Sequence, residues 1–164
     1  MNAPSHIVLG IDPGTRIVGY GVVAKTGSQV RALQYGVIGL TRFVHWSDKL
    51  KEVFECIREL VKAFTPQIVA IESPFMGKNA QSMLKLGRVQ GVAMAAALML
   101  DCSVTEYAPC QIKQVVSGRG NASKTQLAHM VVATLGLSEI PDRLDASDAL
   151  AVALCHLYVA GSGL

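Results

Sequence analysis

Ile7-Val8-Leu9-Gly10-Ile11-Asp12-Pro13-Gly14 is an apolar run closed by a carboxylate and halted by a Pro-Gly turn. Apolar residues without alternation, several of them β-branched, read as a strand buried on both faces. A carboxylate ending such a strand is costly to desolvate unless an opposite charge waits for it. The pattern recurs in Ile68-Val69-Ala70-Ile71-Glu72, and Glu72 has no local capping role that would explain it away. Asp145 and Asp148 open a third apolar segment, 149–160. Two strand ends and a two-acid helix start suggest one shared partner, a divalent metal.

Outward from the first strand, 17–24 and 30–40 are β-rich and joined through Thr26-Gly27-Ser28, which predicts an antiparallel meander. Residues 47–64 carry Leu50, Val53, Phe54, Ile57, Leu60 and Val61 at helical spacing, with Ser47 as the expected N-cap and Pro66 past the end. A strand over 67–72, a long helix over 79–100, a strand over 103–107 and helices over 109–116, 123–135 and 145–159 complete the reading. The order βββαβαβααα predicts an α/β domain with a mixed five-stranded sheet flanked by helices. A chain of 164 residues with no repeat or linker is read as a single domain over 1–164.

Composition narrows the function classes. Only 16% of residues are charged and 51% are apolar, which excludes a disordered chain. The longest apolar run, Val92 to Leu100, falls short of the roughly 20 residues of a membrane span. No charged leader with an apolar stretch opens the chain, so the expectation is a cytoplasmic protein with no membrane partner. Cys56, Cys102, Cys110 and Cys155 form no C-x-x-C pair, and free thiols are expected. Net charge is only +3, but the middle of the chain holds Lys78, Lys85, Arg88, Lys113, Arg119 and Lys124 against Asp101 and Glu106. A basic middle beside an acidic cluster suits a polyanion held near a metal, and it equally suits a solvated helix face.

Asp145 and Asp148 lie three apart and can share one helix face. With Asp12 and Glu72 they offer hard oxygen ligands and neither sulfur nor imidazole, which selects Mg²⁺ or Mn²⁺. Two such ions about 4 Å apart can activate a water and stabilise the leaving oxygen in a phosphodiester displacement. Singly, the acids have plainer readings: Asp12-Pro13-Gly14 as a turn, and Asp145 to Asp148 as a capping box. In the long helix Gly87 and Gly91 lie four apart, each costing about 1 kcal/mol relative to alanine. Close backbone approach would offset that, against the protein's own sheet, against a second copy, or with separate faces on both.

Gly10-Ile11-Asp12-Pro13-Gly14, Ala70-Ile71-Glu72, Lys78-Asn79-Ala80, the alternating Gly118, Gly120, Ala122 and Lys124, and Asp145-x-x-Asp148-Ala149-Leu150-Ala151 occur in this order. Together they make a chain that strongly resembles the RuvC-type crossover junction endodeoxyribonucleases, the bacterial Holliday junction resolvases, from about Ile7 to Val159. The resemblance implies a ribonuclease-H-like fold over 1–164 and a homodimer, with Gly87 and Gly91 candidates for its interface. It implies Mg²⁺-dependent nicking, with Mn²⁺ able to substitute and two ions per site, of two symmetry-related strands at a four-way DNA junction. The cuts leave 5′-phosphate and 3′-hydroxyl ends. It further implies work in recombination and repair alongside a branch-migration helicase complex.

Asp12, Glu72, Asp145 and Asp148 fall on the family's catalytic, metal-binding acids. Lys113 and Lys124 fall on its basic residues near the scissile phosphate, and Phe75 on an aromatic that stacks at the crossover. Lys78 and Arg119 join them as DNA-binding candidates. By residue chemistry alone, Phe75 also reads as core and the two lysines as surface solubilisers. Ser73-Pro74 departs from the family pattern after Glu72, and proline there would stiffen the segment presenting Phe75. The chain also ends at Leu164 without a basic tail, which predicts a weaker non-specific hold on DNA arms. Two other readings remain: a junction-binding module without catalysis, and a single actin-like phosphate-binding lobe. Four intact acids count against the first, and a length sufficient for only one lobe counts against the second.

Overall fold

The computed structural model describes residues 6–74, 77 and 79–161. Its elements follow the expected order: β1 (His6–Asp12), β2 (Ile17–Thr26), β3 (Gln29–Gly39), α1 (Trp46–Phe64), β4 (Ile68–Glu72), α2 (Ala80–Leu98), β5 (Ser103–Tyr107), α3 (Pro109–Ser117), α4 (Lys124–Leu135) and α5 (Leu144–Gly161). They build one mixed sheet in the order β3-β2-β1-β4-β5. The first three strands are an antiparallel meander. β4 pairs in parallel with β1, and β5 with β4. Parallel neighbours need long crossovers, and α1 and α2 supply them.

Register positions the two strand-end acids. Gly10 lies opposite Ala70 and Ile11 opposite Ile71, so Asp12 and Glu72 finish adjacent strands level with each other. Side chains alternate across a sheet, so each strand feeds two cores. Leu9, Ile11, Val69 and Ile71 pack with Val53, Ile57 and Val61 of α1 and Val89, Ala93, Ala96 and Ala97 of α2. Val8 and Ala70 face the opposite layer, with Ile112 and Val116 of α3, Leu127 and Val131 of α4, and much of α5. Asp12 and Glu72, two residues beyond Gly10 and Ala70, therefore point into the α3–α4–α5 layer.

α5 lies unusually close to the sheet. A Cβ on Gly10 would stand 2.1 Å from the Ala149 carbonyl oxygen, and one on Gly19 would stand 1.9 Å from that of Asp145. Glycine is the residue that permits this approach. Because Gly19 pairs with Asp12, the start of α5 is pressed against the strand end carrying the acid. By length and composition alone α5 would suit a membrane span, but it is the core helix, buried from Ala146 to Leu157 except at half-buried Asp148. Its buried His156 shares a 2.7 Å hydrogen bond with the Tyr107 hydroxyl.

Several local expectations are revised. The N-cap position of α1 is His45, whose side chain makes no capping bond, and not Ser47, because Trp46 joins the first turn and packs against the α1–α2 core. Asp145 is not an N-cap either: α5 begins one residue earlier, so Asp145 sits within the first turn. Asn79, in contrast, caps α2 by accepting from the backbone N–H groups of Gln81 and Ser82. Gly87 and Gly91 do not pack on the protein's own sheet; a Cβ at either would meet nothing within 4 Å. The four cysteines are free, with Cys110 exposed, Cys102 and Cys155 buried and Cys56 between.

Candidate active site

At the level ends of β1 and β4 the carboxyl groups of Asp12 and Glu72 hydrogen-bond to each other. Burial first, then Glu72 and Asp148, pushes Asp12 up to about 9, against a weaker pull from Lys124. Glu72 is also raised, chiefly by burial, although its bond to Asp12 and the ammonium groups of Lys124 and Lys113 work the other way. Two buried carboxyls in contact cannot both ionise cheaply, so the pair retains a proton between them.

Asp148 comes from the first turns of α5. Burial raises it and Lys124 opposes the rise, reaching it at 3.1 Å. Burial disfavours the Lys124 ammonium, but Asp148, Asp12 and Asp145 outweigh that and hold it above its ordinary value. Lys124 is placed by a capping box: the Ser123 hydroxyl accepts from the Gln126 N–H, and the Gln126 side chain accepts from the Ser123 N–H. The lysine thus occupies the first position of α4 and is aimed at α5.

These groups line a cleft of about 250 Å³ with Pro13, Ser73, Pro74 and Lys113 among its walls. Lys113 and Lys124 stand on its α3–α4 side. Asp145 lines an adjoining recess instead, beside Thr15 and Arg16, while its charge still bears on Asp148 and Lys124. Among the described residues no three acidic, His or Cys side chains are already gathered to grip one ion. Adjacent carboxylates repel, and here a shared proton and the Lys124 ammonium offset that repulsion. Arg119 is exposed and does not line the cleft, and Phe75 and Lys78 lie outside the described residues.

Sequence reasoning missed Gln114. Its amide donates to the Gly118 carbonyl at 3.0 Å and accepts from the Gly120 N–H at 3.0 Å. Ser117 adds a bond to the Lys113 carbonyl at 2.6 Å. The segment between Lys113 and Lys124, expected as a glycine-hinged loop, is therefore pinned from within α3. A glutamine four residues before a helix-ending glycine was the available signal. The glycine floor under α5 was also missed, although Gly19 and Gly21 two apart in an apolar strand hinted at a close approach.

The family model described as "Crossover junction endodeoxyribonuclease RuvC" matches residues 8–156. A protein of that name from Cytophaga hutchinsonii is 51% identical over 156 residues, covering 95% of this chain and 78% of the relative. Another, from Porphyromonas gingivalis, is 48% identical over 163 residues, covering 96% and 85%. Among solved structures, T. thermophilus RuvC in complex with Holliday junction substrate superposes with a TM-score of 0.91 at 34% identity, covering 96% of each chain. The ribonuclease-H-like sheet, the paired strand-end acids and these likenesses agree: the chain belongs to the RuvC family of crossover junction endodeoxyribonucleases.

Proposed function

We propose that this chain resolves four-way DNA junctions by two symmetrical nicks, leaving 5′-phosphate and 3′-hydroxyl ends, in recombination and repair. The observation that carries the reading is the meeting of Asp12, Glu72 and Asp148 with Lys113 and Lys124 in one cleft. Asp145 stands one helical turn from Asp148, at the mouth of the neighbouring recess. The donor set fits a hard divalent cation: its carboxylates carry no competing thiol or imidazole, and burial raises three of them for want of counter-charge. Asp12, Glu72, Asp145 and Asp148 would hold Mg²⁺, with Mn²⁺ able to substitute, as two ions per site. Such ions supply a water of lowered pKa and offset charge on the leaving oxygen.

The protein's own groups do the rest. Asp12 and Glu72 give up their shared proton when the site is loaded. Lys124 is released from Asp148 and, with Lys113, holds the phosphate and offsets the charge that builds on its oxygens. Gln114 keeps the two lysines at a set separation by pinning the segment between them. Lys78 and Arg119 are assigned further DNA contacts, and Phe75 is assigned to stack on a base at the crossover.

A four-way junction has two equivalent strands to cut, so two sites are needed, and we assign them to a homodimer. Support comes from α2, where Leu84, Gly87, Gly91, Ala95 and Leu98 form an exposed stripe of apolar and small residues. Two mid-helix glycines cost about 2 kcal/mol together, and no contact among the described residues offsets it. We assign the protein to the cytoplasm, working with a branch-migration helicase complex, as the family resemblance implies.

The test is cleavage of a labelled synthetic four-way junction against a linear duplex of the same sequence, with Mg²⁺ and with EDTA. Paired nicks in the junction alone, absent in EDTA, are expected. Tight junction binding without any cut in Mg²⁺ or Mn²⁺ would make the chain a binding module instead.

A further inference from the structure

Beside the cleft, on the far side of the β1–β2 turn, lies a second recess of about 500 Å³ lined by Gly14, Thr15, Arg16, Thr41, Arg143 and Asp145. Its walls are fixed by backbone bonds. The Leu40 N–H donates to the Arg16 carbonyl at 2.9 Å, which sets Thr41 beside the turn. The Ala146 N–H donates to the Arg143 carbonyl at 3.0 Å, which ties Arg143 to the start of α5. Arg16 and Arg143 are exposed, and neither makes an ion pair among the described residues. Their neighbour Arg42, by contrast, is taken by Glu52 at 2.6 Å.

We infer that this recess is a second phosphate site, holding the DNA backbone next to the phosphate being cut; the inference rests on the junction-nuclease reading above. Two free guanidiniums against the single carboxylate of Asp145 leave the recess net positive. Asp142 and Glu139 lie on the other side of Arg143, along a separate recess. A guanidinium presents a planar fork of donors that matches a phosphate bidentately, and the hydroxyls of Thr15 and Thr41 add donors at the wall. The position also suits a strand. The recess adjoins the cleft across the β1–β2 turn, with Asp145 lining one and Asp148, three residues on in the same helix, lining the other. A strand with one phosphate in the cleft can therefore run on over Arg16 and Arg143.

The measurement is equilibrium binding of the full chain to a fluorescent four-way junction across a salt series, with EDTA present so that nothing is cut. Each phosphate contact contributes about −0.9 to the slope of log K against log salt. Arg16→Gln and Arg143→Gln are each expected to flatten the slope by about that amount. Arg16→Lys and Arg143→Lys keep the slope, because lysine also displaces a counterion. Lys25→Gln, a control opposite His6 at the far end of β1, leaves it unchanged. An unaltered slope in both glutamine variants overturns the site, as does an equal loss in Lys25→Gln. If the unsubstituted chain shows no preference for the junction over linear duplex, the junction-nuclease reading falls first and this site with it.

Discussion

In the proposed reaction Asp12 is the residue whose substitution should separate cleavage from binding, and its raised pKa links it to stability. Asp12→Asn is expected to reduce junction cleavage to background while junction binding persists, since removing a negative charge does not weaken attraction to DNA. Cleavage and gel-shift assays on the same preparation check it, and joint loss would assign Asp12 a structural role. The same substitution has a signature in stability. Asp12, Glu72 and Asp148 all titrate above their ordinary values in the folded chain. Without metal the native state therefore holds protons that the unfolded chain has released, and stability falls as pH rises toward about 9. His156, lowered by burial and by His6, acts in the opposite sense, with its stability lost as pH falls below the ordinary 6.5. Between about pH 7 and 9 the acids dominate. In EDTA, Tm should decline across that interval, and Asp12→Asn should flatten the decline and raise Tm at its upper end. Parallel pH profiles for the two proteins would refute the shared-proton account.

The elements bring the acids together by two different devices. Parallel pairing of β1 with β4 levels Asp12 with Glu72. The glycines beneath α5 let that helix descend far enough for Asp148 to join them. Gly19→Val tests the second device: its Cβ must displace the Asp145 carbonyl, lifting the start of α5 away from Asp12. Overpacking of this kind costs about 1–3 kcal/mol. The expected result is a lower urea midpoint together with cleavage lost by more than the stability loss explains. A variant as active as the parent would show that the close approach does not position the acids. The same helix start sets Asp145 and Asp148, three residues apart, against different walls. The first turn of α5 lies over the β1–β2 turn and the next over the cleft.

For the assembled molecule the expected form is a dimer through α2. Leu84→Asp with Leu98→Asp places two carboxylates in the exposed stripe and should leave a folded monomer by analytical ultracentrifugation. Each side chain is more than half exposed in the protomer, so the fold should tolerate the change. Such a monomer should still cut, but with single nicks replacing the paired nicks on a junction. A monomeric parent chain, or a doubly substituted chain that remains dimeric, would remove α2 from the interface.

Element order, the antiparallel meander, the mixed sheet and the four acids were legible from residues 7–159 because each is a local pattern. Apolar runs end in a charge, helical spacing stops at Gly or Pro, and the acids stand where no cap or turn needed all of them. The family motifs added Lys113 and Lys124, and both reached the cleft. Tertiary structure alone decided which wall each acid faces, that Asp12 and Glu72 share a proton, and that Lys124 covers Asp148. It also decided that Gln114 pins the supposed hinge, that Trp46 starts α1 ahead of Ser47, and that Gly87 and Gly91 face outward. Those outcomes depend on distances between residues far apart in the chain. Burial and charge act through such distances, and no pattern along a single segment contains them.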